Sequence, residues 1–262
     1  MDLELKDKVA LVTASSRGLG KAAALALARE GAHVSICSRS RQIHDTADEI
    51  RQSASGRVLA MQVDVTQSEQ VEELVEKTLD RFDQIDILIL NAGGPAPGNF
   101  LSLKAEDWRA AVDLTLMSTV HLCYAVVPHM LEQGSGSIVA SQSFTVKQPL
   151  DNLILSNAIR LAVIGMMKSL ANELGPKGVR VNSINPGWTW SERVDQLLKD
   201  RAERNQTTAQ EESQAVAAAI PLGRIASLEE YGRAIAWLAS PAASYIHGHA
   251  LQFDGGAAQT PL

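Results

Sequence analysis

Apolar residues along this chain fall into two recurring patterns. Short, continuous runs rich in Val, Ile and Leu occupy residues 9–13, 33–37, 58–63, 85–90, 137–141, 179–185 and 251–253. Runs that are apolar throughout, rather than alternating, predict strands covered on both faces. Between them, residues 19–30, 42–53, 68–82, 105–131, 154–174 and 228–238 carry apolar positions at helical spacing. Strands alternating with crossover helices predict an α/β fold: a doubly wound parallel sheet of about seven strands with helices on both faces. Ligands of such sheets bind beyond the carboxyl ends of the strands. No internal repeat or linker-like tract interrupts the pattern, so residues 1–262 are expected to form a single domain. Residues 188–221 are the least regular, a charged, helix-prone insertion that reads either as a lid over a site or as a solvated excursion.

Composition narrows the partners. Hydrophobic residues make up 45% of the 262 and charged residues 21%, as in ordinary globular proteins. The net charge of -6 argues against nucleic acid or an anionic membrane as main partner. No unbroken apolar run reaches the roughly 18 residues of a membrane span. The opening MDLELKDK is acidic and has no apolar segment, so no secretion signal is expected and the expected location is cytoplasmic. Cys37 and Cys123, far apart in apolar surroundings, read as buried free thiols. No metal-ligand set is evident.

The first predicted strand runs into Ala14-Ser15-Ser16-Arg17-Gly18-Leu19-Gly20 and then a helix. Glycines at a strand-to-helix turn let backbone approach a pyrophosphate, which the free N–H groups of the helix start stabilise. With alanine first, the turn is expected to keep residue 14 in a conformation open to an L-residue. The second strand ends in Ser38-Arg39-Ser40-Arg41, without the carboxylate that an NAD site places there. Arg17 and Arg39 are suited to a ribose 2′-phosphate, which makes NADP(H) the expected cofactor over NAD(H); two solvated arginines are the plain alternative.

These segments resemble the short-chain dehydrogenase/reductase family, and the likeness runs from about Lys8 to Gly256. The turn is similar to the family's Thr-Gly-x-x-x-Gly-x-Gly, with Ala14 replacing the first glycine. The resemblance implies a Rossmann-like fold and cofactor contacts at Thr13, Ser15, Arg17, Gly18, Leu19 and Gly20. It implies adenine contact at Asp64-Val65, and further contact at Asn91-Ala92-Gly93, which matches Asn-Asn-Ala-Gly with Leu90 at its first position. Asn185-Pro186-Gly187 resembles the nicotinamide-side turn, and Ser191 falls where the family usually binds the carboxamide through Thr. Gly248 and Phe253-Asp254-Gly255-Gly256 are similar to the closing strand.

The family moves its proton with Asn, Ser, Tyr and Lys. By this resemblance Ser143 is the substrate-orienting serine, Ser156 stands at the tyrosine position and Arg160 at the lysine position, and Thr115 replaces the asparagine. A phenol near pKa 10 is an effective acid beside an ammonium, whereas a serine hydroxyl is far weaker and arginine does not shuttle protons. Loss of a positioned acid costs about 10² to 10⁴ in rate. Lys147 and Asp151, on the loop before Ser156, are candidate replacement donors or solvated charges. Arg160 in an open cleft would also offer an anchor for a carboxylate. Tyr124, Tyr231 and Tyr245 lie in segments not expected near the nicotinamide. Trp188 and Trp190 read as walls of a substrate pocket or as core packing.

The expectation is therefore an NADP(H)-dependent oxidoreductase acting on a small ketone or secondary alcohol, similar to divergent β-ketoacyl-carrier-protein-reductase-like members. The alternative is a catalytically silent NADP(H)-binding sensor or partner subunit. Family members usually form homotetramers, and the apolar Ile159, Leu161, Val163, Met166 and Met167 fit helix burial in a homotetramer or homodimer.

Overall fold

The structure, a computed structural model, describes residues 2–260. Seven parallel strands form one sheet: β1 (Val9–Val12), β2 (His33–Ser38), β3 (Val58–Gln62), β4 (Ile87–Leu90), β5 (Gly136–Ser141), β6 (Val179–Pro186) and β7 (Ala250–Phe253). Their spatial order is β3-β2-β1-β4-β5-β6-β7, so the chain reverses its winding direction between β1 and β4. A crevice opens at such a reversal because the neighbouring crossovers leave to opposite faces.

The central strands divide their side chains between two cores. Ala10, Val12, Val34, Ile36 and Ile184 pack under α1 (Gly18–Arg29) and the helix Leu228–Ala239. Leu11, Leu88, Ile138, Val179 and Val181 face the other way, onto α3 (Ser68–Phe82) and two longer helical segments. Both sets are buried, which is why the strand sequences lack polar alternation. The remaining helix of this half, α2 (Ile43–Ser53), closes the edge beside β2 and β3.

The segment expected as one helix over 105–131 is interrupted. It consists of α4 (Ala105–Val112), a π-helical turn over Asp113–Met117, and α5 (Ser118–Gln133). The wide turn loosens the ordinary ladder, and side chains take up carbonyls there: Ser118 Oγ donates to Leu114 O at 2.6 Å and Thr119 Oγ1 to Thr115 O at 3.0 Å. The segment is apolar around most of its circumference, so the phase shift from an extra residue leaves no visible break in the sequence pattern.

The helix α6 (Ile154–Leu174) follows β5 and packs along β6. By length and composition the 105–133 segment and residues 154–177 are apolar enough to cross a membrane, but both pack against the sheet. The insertion after β6 folds into α7 (Glu192–Asn205) and α8 (Ala209–Ala219), ahead of α9 (Leu228–Ala239). Val194, Leu198, Val216, Ile220 and Ile225 give it a small core of its own, with Trp188 packed against them.

Candidate active site

The turn after β1 is built for close approach. A Cβ on Gly20 would lie 2.4 Å from Ala14 O and 2.7 Å from Asn91 Nδ2, so only glycine lets the start of α1 sit against both. Gly18 has φ +55°, in the region that favours glycine. Ala14 is the surprise: it also adopts positive φ, 47°. The expectation of an ordinary conformation at residue 14 is thus corrected, because the surrounding bonds hold it. Asn91 Nδ2 donates to Thr13 O at 3.2 Å and Ala14 O at 3.1 Å, and Ser15 N donates to Cys37 O at 3.0 Å.

Beyond these strand ends lies a cavity of about 830 Å³. It is lined by Arg17, Gly18, Leu19, Arg39, Asp64, Val65, Asn91, Ala92 and Gly93, and at the other end by Ser143, Ser156, Arg160, Pro186, Gly187 and Ser191. Fifteen of the residues singled out in the sequence thus meet on one surface. Four do not. Thr13 is buried, its Oγ1 donating to Asn91 O at 2.7 Å. Ser15 is buried with its Oγ donating to Val12 O at 2.9 Å. Gly20 lies beneath the turn, and Thr115 lies on the π-helical turn, away from the main cavity. The first three brace the wall without forming it.

At the end near β2, Arg17 and Arg39 both line the cavity, and Arg39 Nη1 stands 4.0 Å from Asp64 Oδ2. Thr66 fixes that carboxylate, donating from N at 3.0 Å and Oγ1 at 2.8 Å to Oδ1. No carboxylate from β2 competes for the arginines. This surface suits a dinucleotide: a glycine cradle without Cβ atoms and a helix start, with two guanidiniums at one end.

At the other end, a polar chain runs from β5 to α6. Ser143 Oγ accepts from Thr145 N at 3.2 Å, Thr145 Oγ1 and Ser156 Oγ are 3.2 Å apart, and Arg160 Nε donates to Ser156 Oγ at 3.2 Å. Arg160 is not the open-cleft anchor the sequence allowed. It is buried, and its Nη1 donates to Gln142 O at 3.1 Å and Ser141 O at 3.5 Å. Burial first, then the Arg193 cation, pushes its pKa down to about 10, so it is charged at neutral pH.

Thr115 Oγ1 is buried and without a hydrogen-bond partner, on a small cavity shared with Asn91, Gln142 and Arg160. Tyr231 comes closer than its segment suggested: its hydroxyl donates to Ser141 Oγ at 2.8 Å. Yet it lines neither large cavity, and burial raises its pKa above the ordinary phenol value, so it is no substitute acid.

A second cavity of about 640 Å³ continues from the first, sharing Ser143, Leu153, Pro186, Gly187, Val194 and Leu197. Trp188 and Asp151 line it, whereas Trp190 and Lys147 line neither cavity. Among the described residues, no His, Lys, Tyr or Cys lines either one.

Several contributors were missed in the sequence. Thr145 links the two serines. Arg193 crosses from α7 to the loop after β4, where Nη2 donates to Pro95 O at 3.1 Å, and it lines the cofactor-sized cavity. A basic residue two positions after Ser191 was the available signal for Arg193; nothing in the sequence distinguishes Thr145 from other threonines.

The reversal of winding, the glycine cradle at that point and the hydroxyl chain across from it define a dinucleotide-binding α/β protein of the oxidoreductase type. The family described as Enoyl-(Acyl carrier protein) reductase matches residues 13–258. The 3-oxoacyl-(acyl-carrier-protein) reductase of Thermotoga maritima is 33% identical over 254 residues, 97% of this chain and 99% of that one. The corresponding reductase of Synechocystis is 35% identical, over 96% of this chain and 97% of that one. The L-sorbose reductase of Gluconobacter frateurii, solved with NADPH and L-sorbose, superposes with a TM-score of 0.94 at 33% identity, over 99% of this chain and 100% of that one. The chain belongs to the short-chain dehydrogenase/reductase family.

Proposed function

We propose that this protein is an NADP(H)-dependent reductase of small ketones, or dehydrogenase of the matching secondary alcohols, working without the family's usual proton donor. The observation that carries this reading is one continuous surface from Arg17 and Arg39 to Ser143, Ser156 and Arg160. The NADPH bound to the L-sorbose reductase, and the 3-oxoacyl reductase activity of the bacterial relatives, support it.

Arg17 and Arg39 would hold the 2′-phosphate, Asp64 and Val65 the adenine side, the 14–20 turn the diphosphate, and Asn91, Ala92, Gly93, Pro186, Gly187 and Ser191 the nicotinamide half. A reduced nicotinamide supplies hydride. Ser143 and Ser156 supply hydroxyls for the carbonyl oxygen. Because Ser156 Oγ already accepts from Arg160 Nε, its own proton is free to point at Thr145 Oγ1 or into the cavity. The neighbouring guanidinium polarises that hydroxyl and stabilises developing negative charge; one such donor is worth about 3 to 4 kcal/mol of barrier. The proton comes from water, relayed by the Asp151 carboxylate that lines the second cavity.

The missing phenol, and the absence of any His, Lys, Tyr or Cys among the described residues that line either cavity, favour a second reading: an NADP(H)-binding sensor or partner subunit without turnover. NADPH titration followed by oxidation assays on a ketone panel separates the two. Turnover with NADPH preferred over NADH supports the reductase. Tight NADPH binding without turnover supports the sensor, and failure to bind either nucleotide removes both.

Homo-oligomers through α5 and α6 are part of the same proposal. Val163 and Met167 are used by the core, but Leu161 and Tyr124 are exposed and Ile159 and Met166 half-buried, leaving apolar surface on both helices. Light scattering at micromolar concentration should show a dimer or tetramer.

A further inference from the structure

The second cavity ends on a cationic floor that the ketone reading does not require. One stripe of α7 forms its wall: Val194, Leu197, Arg201 and Arg204, spaced three, four and three residues apart. That spacing places all four on one helical face. The two aliphatic residues also border the cofactor-sized cavity, whereas the two arginines line only the second. The wall therefore changes from apolar near the reacting end to cationic at the far end. From Val194 to Arg201 is seven residues, roughly 10 Å of helix rise.

Arg201 is held in place from behind. Glu212 is buried, and its Oε2 forms an ion pair with Arg201 Nε at 2.6 Å. The other oxygen accepts from Asn205 Nδ2 at 2.8 Å and Thr207 Oγ1 at 2.6 Å. With Nε committed to Glu212, both Nη groups of Arg201 have no protein hydrogen-bond partner among the described residues. Arg204 is exposed and has no carboxylate partner among them either. The opposing charge on this cavity is Asp151, on the loop across from α7, and it is paired with neither arginine. Asn99, Asn152 and Asn205 add neutral amides. A guanidinium fixed at one edge, with its outer nitrogens open to a cavity, is preorganised for a carboxylate or similar planar anion.

We propose that the substrate is a ketone, or the matching alcohol, with an apolar body and an anionic terminus, and that Arg201 and Arg204 bind that terminus at the end of the second cavity away from the reacting carbon. This rests on the reductase reading for the position of the carbonyl, but not for the existence of the anion site.

The test uses 9-oxodecanoate and its methyl ester, which share a skeleton and differ in charge. Calorimetry measures their binding to the free protein and to the protein saturated with NADP⁺, and kcat/KM is measured with NADPH. The acid is expected to exceed the ester by about 10- to 100-fold in binding, and the difference to shrink as salt rises. Arg204→Gln should bring the acid-to-ester ratio close to one. Arg201→Gln alone would leave Glu212 buried without its partner, so Arg201→Gln/Glu212→Gln is the second variant and should act the same way. Equal binding of acid and ester, binding of neither, or an acid preference that survives both variants overturns the proposal. Acid-selective binding without turnover, or without NADP⁺ binding, leaves the anion site standing and removes the reductase reading instead.

Discussion

Arg160 reaches back one helical turn to donate from Nε to the Ser156 hydroxyl at 3.2 Å, and it makes this contact while buried and paired with no carboxylate among the described residues. A charge that deep is normally paired. Here backbone oxygens of Ser141 and Gln142 stand in for a counter-ion, which leaves the guanidinium's field directed at Ser156. The pair is polar enough to stabilise negative charge, but neither member is an acid near neutral pH.

Restoring a titrating acid should therefore raise the rate. The double variant Ser156→Tyr/Arg160→Lys is expected to increase kcat toward simple ketones by about 10² to 10⁴. NADPH consumption measures it, and an unchanged kcat would show that proton delivery does not limit this protein.

Cofactor choice should rest on the arginines next to β2. Arg39→Ala and Arg17→Ala are each expected to weaken NADPH binding by about 10- to 100-fold while leaving NADH nearly unaffected, as for loss of a charge-assisted phosphate contact. Asp64→Asn should act in the opposite direction, since it frees Arg39 from a carboxylate 4.0 Å away. Fluorescence titration of both nucleotides reads the difference.

Arg193 should behave differently from those two. It spans the cavity to Pro95 near the middle of the site, distant from the Arg39 end. Arg193→Ala is expected to raise the Kd for NADPH and NADH by the same factor, about 10-fold, through a shared diphosphate contact. A loss confined to NADPH would place it at the 2′-phosphate instead.

The Ala14 turn stores backbone strain. A non-glycine residue at φ 47° costs about 1 kcal/mol, so Ala14→Gly should raise stability by roughly 0.5 to 1 kcal/mol in chemical denaturation. Gly20→Ala should do the reverse and abolish nucleotide binding, because its Cβ would meet Ala14 O at 2.4 Å.

Acid should weaken the start of α9. The Arg224 side chain, then Ser227, hold the Glu230 carboxyl at a pKa of about 2 against an ordinary 4.5. A carboxyl depressed by folding stabilises the protein above its unfolded pKa. That contribution is fully present above about pH 4.5 and disappears as pH falls toward about 2. Thermal melts of Glu230→Gln should accordingly lose less on acidification than those of the parent.

Continuous apolar strands, helical periods and a glycine-bearing turn were enough to specify a doubly wound parallel sheet and the strand ends where its cleft opens, because each is a local pattern read over a few residues. Spacing alone put Ser156 and Arg160 on one helical face, and the family resemblance, not any local pattern, added Ser143 to them. Neither showed that Arg160 is buried, that Thr145 joins the serines, that Ala14 is held at positive φ, or that Thr13 and Ser15 lie behind the wall. Those outcomes depend on what packs against each residue from strands and helices distant in sequence. The Glu212 support for Arg201 is likewise legible only after α7 and α8 close on each other, because hydrogen-bond partners and desolvation are properties of three-dimensional neighbours and not of the order of residues.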